Sequence, residues 1–216
     1  MKLKPNHFSG MMQKTEIIKK DGRKYTIRGN RMRYFFPDEW MAFYDNLSDR
    51  QKLTFNSLIN TGARINEIRN VRPEDIDSER NSLVLRATKT RNKDGSPKLR
   101  IIPISAEFTK FLRKGIKHFN VQNSSNLPIL STPAANICLK KHLQTIGLQD
   151  YYMFSIHNIR KTLETWLLAL RVDSMTITQH FGHSASIANK HYVSPDTFSF
   201  EEKNQMRMII GDLYGK

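Results

Sequence analysis

From Pro37 to Leu213 the chain is written almost entirely in helix-length segments joined by short connections, and two strand-like runs interrupt them once. This arrangement predicts a mainly α fold carrying a small antiparallel β-sheet. Pro37-Asp38-Glu39 opens the first helix, with the proline pre-setting the backbone angle and two carboxylates at the positive end of the dipole. Trp40, Phe43, Tyr44 and Leu47 then recur on one face. A second helix is expected over 49–60, with Leu53, Ser57 and Leu58 towards the buried side and Gly62 as its C-terminal cap. The strands read as SLVLRA (82–87) and LRIIPI (99–104), separated by TKTRNKDGSPK, whose Asp94-Gly95 and Pro97 are turn chemistry. Further helices are expected at about 106–119, 132–146, 155–170, 174–181, 184–191 and 199–213.

Ahead of this body, residues 1–35 form a basic segment in which TEIIKK, Asp21-Gly22 and RKYTIRG have the pattern of a hairpin around a type I′ turn. The alternative is a basic arm without fixed structure. The organisation expected is therefore an N-terminal segment (1–35), a principal domain (36–195) and a C-terminal tail helix (196–216). Thirty-five Lys and Arg against 20 Asp and Glu leave a formal charge of +15, a field that concentrates polyanions, so nucleic acid is the leading partner. The competing reason for a basic chain, an anionic membrane, is disfavoured because there is no run of about 18 apolar residues. The opening MKLKPNHFSG lacks a signal-peptide hydrophobic region, and a cytoplasmic, nucleoid-associated location is expected. Cys138 is the only cysteine, which excludes an intramolecular disulfide or a thiolate-rich zinc site and leaves core packing as its role.

Four segments carry chemistry-bearing side chains: TGARINEI (61–68), RATKT (86–90), HNIR (157–160), and FGH (181–183) followed by Tyr192. Singly, each has a bland reading. Arg64 is a solvated charge beyond a helix, Lys89 one of many surface lysines, and Tyr192 an aromatic packed on Phe198 or Ile187. His157 and Arg160, three residues apart, share a helix face and can converge on one ligand. His183 and Tyr192 would stand about 13 Å apart along an unbroken helix. Gly182 permits a break before His183, and Ser184 or Ser186 can cap a new helix that folds back.

Taken together, Arg64, Lys89, His157-x-x-Arg160, His183 and Tyr192 resemble, in order and spacing, the six active-site positions of the tyrosine recombinase family, which includes phage integrases. The resemblance covers roughly 36–195 and extends to Thr61-Gly62-Ala63-Arg64 with Glu67 three residues on, and to Gly182-His183 with the tyrosine nine residues later. It implies a mainly helical catalytic fold acting on double-stranded DNA as a self-associated assembly, a tetramer on paired sites, without metal or other cofactor. The activity implied is strand cleavage and rejoining through a 3′-phosphotyrosine. Rivals are relaxation of DNA in the manner of a type IB topoisomerase, and a catalytically silent DNA-binding regulator on the same fold.

That chemistry accounts for the residue types. Phosphoryl transfer to a protein hydroxyl builds charge on two non-bridging oxygens, which Arg64 and Arg160 meet with planar, permanently charged donors. Tyr192, with an ordinary phenol pKa of about 10, needs help to lose its proton. His157 is the candidate acceptor and His183 a hydrogen-bond donor to phosphate, although the two roles are exchangeable. Lys89 is the expected general acid for the leaving 5′ oxygen, with Lys93 and Lys98 flanking the same turn as substitutes. Glu67 is expected to orient basic groups, or else to be an exposed partner of Arg69 or Lys52.

Two departures from the family pattern stand out, and the place of the tail is open. About 35 residues precede the match where family members commonly carry a helical core-binding domain, so the chain is either truncated or a minimal enzyme. Arg171 stands where relatives often end the His-x-x-Arg helix with glycine, and a costly left-handed cap there predicts a different local geometry. The tail helix either docks on a neighbouring subunit or folds back on its own domain.

Overall fold

The computed structural model describes residues 33–182 and 198–214, together with the backbone of 14–18 and 24–28; the side chains of 89–91 fall outside that description. Near the N-terminus, β1 (Lys14–Ile18) and β2 (Lys24–Arg28) pair antiparallel with Lys14 opposite Arg28 and Ile18 opposite Lys24, while the turn expected at Asp21-Gly22 lies outside the described residues. The body then runs through α1 (Pro37–Asp45), α2 (Asp49–Thr61), α3 (Ile65–Ile68), β3 (Ile76–Asp77), β4 (Ser82–Arg91) and β5 (Pro97–Pro103). It continues with α4 (Ala106–His118), α5 (Thr132–Thr145), α6 (Ile156–Ala169), α7 (Ser174–Phe181) and α8 (Phe200–Ile210). The helix expected at 184–191 lies outside the described residues.

Local chemistry starts each helix where the sequence marks it. The Phe36 amide donates to Glu39 at 2.9 Å ahead of Pro37, and the Ser48 amide donates to Gln51 at 2.9 Å. The side chains of Ser105, Asp173 and Ser199 accept from the amides of Phe108, Thr176 and Glu202. At the other ends, Gly62 and Gly182 take left-handed angles, φ +56° and +64°, and stop α2 and α7. Arg171 does the same at φ +65°, its amide donating to Leu168 and that of Val172 to Leu167. The expectation that its geometry would differ from a glycine cap is therefore corrected: the backbone closes the α6 terminus in the left-handed form despite the Cβ.

β3, β4 and β5 form one antiparallel sheet in that order. In it Leu83 faces Ile102 and Leu85 faces Arg100, with an irregularity between Arg86 and Arg91. The strands run further than their apolar alternation, because a tight turn closed by Asn92 and Ser96 (2.8 Å) replaces the long loop expected at 88–98. Aromatic side chains fill the core around α1, α2 and α6, where Phe35 contacts Trp40 edge-on at 5.3 Å and Phe154 at 4.6 Å. Arg33, fully buried, pairs with Glu39 and Asp150 at 2.7 Å each and lies over the Phe154 ring. α2 packs on α6, and α8 packs on α1, α2 and α6 of the same chain through Met206 and Ile210, so the tail helix folds back on its own domain. Cys138 is buried, and its apolar surroundings push the thiol up to about 11.

Candidate functional site

Two central helices present the site by their ends. α2 finishes in Thr61 and left-handed Gly62, and the chain turns through Ala63 into Arg64, the N-cap of the four-residue α3. Glu67, only 3% exposed, reaches back one turn: one carboxylate oxygen accepts the Arg64 amide at 2.9 Å, and the other meets the Arg64 guanidinium at 3.2 Å. Arg64 remains about half exposed, with its side chain at 48%. The alternative in which Glu67 is a solvent-facing partner of Arg69 or Lys52 does not hold; its carboxylate is buried, where an unpaired charge would be too costly.

From the facing helix, α6, Arg160 donates to the carbonyl of Gly62 at 2.6 Å and to that of Phe181 at 2.7 Å, with its guanidinium 4.8 Å over the Phe181 ring. These are the orphan carbonyls at the C-terminal ends of α2 and α7, where helix dipoles favour a cation. Burial first, and then repulsion from Arg100 and Arg64, pull Arg160 down to about 10, which still leaves it charged at neutral pH. His157, one turn earlier on the same face and solvent-exposed, is held below its ordinary value by desolvation and then by Arg160, Lys161 and Arg64. Arg64, His157 and Arg160 thus lie close enough to act on one another, as their motifs predict.

Two further side chains complete the frame and were not singled out from the sequence. Arg100 on β5 donates to Glu67 at 3.2 Å and to the His180 carbonyl at 2.8 Å. Burial lowers its pKa, Arg64 adds to that, and Glu67 opposes it. His180, 2% exposed, faces the Thr61 carbonyl through Nε2 at 2.9 Å and the Tyr214 hydroxyl through Nδ1 at 2.8 Å. A carbonyl can only accept, so Nε2 carries the proton and Nδ1 accepts from Tyr214. A signal for Arg100 was present: it shares strand parity with buried Ile102 and Ile104, which points it inward. Nothing in the sequence marks His180.

The arrangement is a positive surface. Two guanidinium groups, from α3's N-cap and β5, pair with the buried Glu67 carboxylate, a third on α6 lies close enough to feel both, and a depressed histidine stands beside them. Such a set offers charge-assisted donors to an anion with two or more oxygens. Among the described residues no three His, Cys, Asp or Glu side chains gather as a metal site, and no helix is long and apolar enough to cross a membrane. Lys89 falls on β4, near the turn that closes the hairpin, and its side chain is outside the described residues. His183 and Tyr192 also lie outside them. α7 does end at Phe181 with Gly182 in the left-handed form, the break expected before His183.

A family model described as "Phage integrase family" matches residues 33–197. The chain is 27% identical over 183 residues to the tyrosine recombinase XerA of Pyrococcus horikoshii, covering 79% of this chain and 59% of that protein. It is 29% identical over 179 residues to XerA of Thermococcus onnurineus, covering 77% and 58%. The chain thus spans a little under three-fifths of the length of these curated relatives. The fold is similar to that of a crystal structure of XerA recombinase, with TM-score 0.59 and 18% identity over 82% of this chain and 64% of that one.

Proposed function

The chain belongs to the phage integrase family of tyrosine recombinases, as its catalytic domain, and from that premise we propose that it is a site-specific DNA recombinase that cuts and rejoins duplex DNA through a covalent bond to Tyr192. The observation that carries the reading is the gathering of Arg64, Arg100 and Arg160 around Glu67, with His157 kept neutral beside them.

In this reading Arg64 and Arg160 hold the two non-bridging oxygens of the scissile phosphate, whose negative charge grows in the transition state. The Tyr192 oxygen bonds to phosphorus as the bond to the 5′ oxygen breaks, giving a 3′-phosphotyrosine and a free 5′ hydroxyl. His157 accepts the phenolic proton, its lowered pKa favouring the unprotonated form that this needs, and His183 donates a hydrogen bond to phosphate. Lys89 protonates the departing oxygen. Attack by a 5′ hydroxyl from another strand runs the same steps backwards, so the phosphodiester energy is retained and no cofactor is required. Glu67 and Arg100 position Arg64 and the end of α7. Double-stranded DNA is the partner, and exchange between two sites calls for self-association, with a tetramer on paired sites.

The experiment is adduct trapping on a nicked suicide substrate. Tyr192→Phe should lose the covalent protein–DNA adduct and keep DNA binding. An adduct of undiminished yield would reject Tyr192 as nucleophile.

A further inference from the structure

Beside the arginine cluster, on the far end of α3, a second cavity of about 550 Å³ opens between α3, β4 and the loop before α5. Asn66, Arg69, Asn70, Arg86, Thr88 and Asn126 contribute to its walls, so it is lined with donors and has little apolar surface. The carboxylates nearby are already engaged. Buried Asp75 holds Arg86 and accepts the Arg72 amide at 2.9 Å, and Glu74 pairs with Arg72 at 3.3 Å. Arg69 is exposed and forms no ion pair among the described residues. Around the cavity, therefore, three arginines face two carboxylates, which leaves one positive charge in excess, at Arg69.

The cavity is also rigidly tied to the site. α3 begins at Arg64 and ends with Arg69 as its C-cap, so the two arginines are separated by about 7.5 Å of helix rise. The Leu127 amide, bonded to the Val71 carbonyl at 2.8 Å, holds Asn126 at the opposite wall.

We propose that this cavity is a second phosphodiester site, taking the sugar–phosphate backbone beside the scissile position, with Arg69 on the phosphate and the asparagine amides on the sugar and phosphate oxygens. The inference rests on the reading of the chain as a DNA-cutting recombinase. It assigns the cavity a register function: a strand seated at both ends of α3 cannot slide along the arginine cluster. Phosphate contacts position without reading sequence, which suits a cavity of guanidinium and amide donors.

The test measures binding of the full chain to a 30-base-pair duplex of random sequence by fluorescence anisotropy across a salt series. Arg69→Gln should flatten the slope of log affinity against log salt by about 0.9, the share of one phosphate contact. Arg80→Gln, an arginine that is not in the cavity's walls and whose side chain is 86% exposed, should leave the slope unchanged. Asn126→Leu, which changes no charge, should weaken binding about tenfold at fixed salt. Equal slopes for wild type and Arg69→Gln would overturn the proposal, as would full affinity in Asn126→Leu, because either result reduces the cavity to ordinary charged surface. A wild-type chain that does not bind duplex DNA would instead defeat the recombinase reading itself, while loss of the Tyr192 adduct chemistry would leave these binding measurements interpretable.

Discussion

Acidification should weaken this protein through the buried ring of His180. The imidazole is buried between the Thr61 carbonyl, the Tyr214 hydroxyl and the guanidinium groups of Arg100 and Arg160; desolvation, more than those charges, brings it from 6.5 down to about 4. In the unfolded chain the same ring takes up a proton as the pH falls below 6.5, whereas the folded protein resists until about 4. The unfolded state binds more protons throughout that window, so the stability contributed by a neutral His180 is fully present above it and is lost as the pH falls through it. Between about pH 7.5 and about pH 4.5 the loss amounts to about 2.5 kcal/mol. Urea denaturation at both pH values, on wild type and on His180→Gln, isolates it. Glutamine can still donate to the Thr61 carbonyl but cannot take a proton, and every other titrating group is common to the two proteins and cancels. Wild type should lose about 2.5 kcal/mol more than the variant on acidification. Parallel pH dependence in the two proteins would refute the argument that His180 is kept neutral by burial.

Three other outcomes are expected. Arg100→Ala should cost about 3 kcal/mol by stranding the buried Glu67 carboxylate on one remaining partner, and should lower the melting temperature by about 6–12 °C. Adding Glu67→Gln should recover part of that loss, and strictly additive losses would count against the pairing. If His157 is the proton acceptor, the acid limb of strand cleavage should fall below pH 6.5 and vanish in His157→Gln; a limb above that value, or one that survives the substitution, rejects the role. Gly62→Ala would put a Cβ 2.4 Å from the Phe181 ring on a left-handed backbone, at a cost of about 3 kcal/mol by calorimetry, and an unchanged melting temperature would contradict the packing.

The sequence made the frame legible where local chemistry and periodicity agree. α2 and α4 to α7 begin at their capping residues and end at or near their expected stops, and Gly62 closes α2 as its position suggests; α1 begins at Pro37 but ends at Asp45, short of the Leu47 expected on its face. Other parts depend on tertiary partners. α3 is a single turn, held by Glu67 on the Arg64 amide rather than by propensity, and β3 has two residues, too few to show alternation. The outer halves of β4 and β5 are rich in charged residues, so the period-two apolar signal stops before the pairing does. Motif spacing gathered Arg64, His157 and Arg160, because α2 and α6 pack together. Arg100 was hidden by its surroundings: exposed Leu99 and Ile101 make LRIIPI read as an apolar strand, and only the phase of Ile102 shows that the arginine is turned inward. Arg171 shows the opposite failure, a local penalty outweighed by the hydrogen bonds that close α6.

The carbonyls of Gly62 and Phe181 fix the plane of the Arg160 fork, so in the proposed reaction the charge it offers would not need to reorient. On that proposal Arg160 would be a reagent as well as the fastener that the two bonds make it. A rate lost on Arg160→Ala would combine missing transition-state charge with two helix ends set adrift. Ranking the two arginines proposed to hold phosphate by alanine kinetics would therefore inflate the importance of Arg160 over Arg64, whose half-exposed side chain fastens much less.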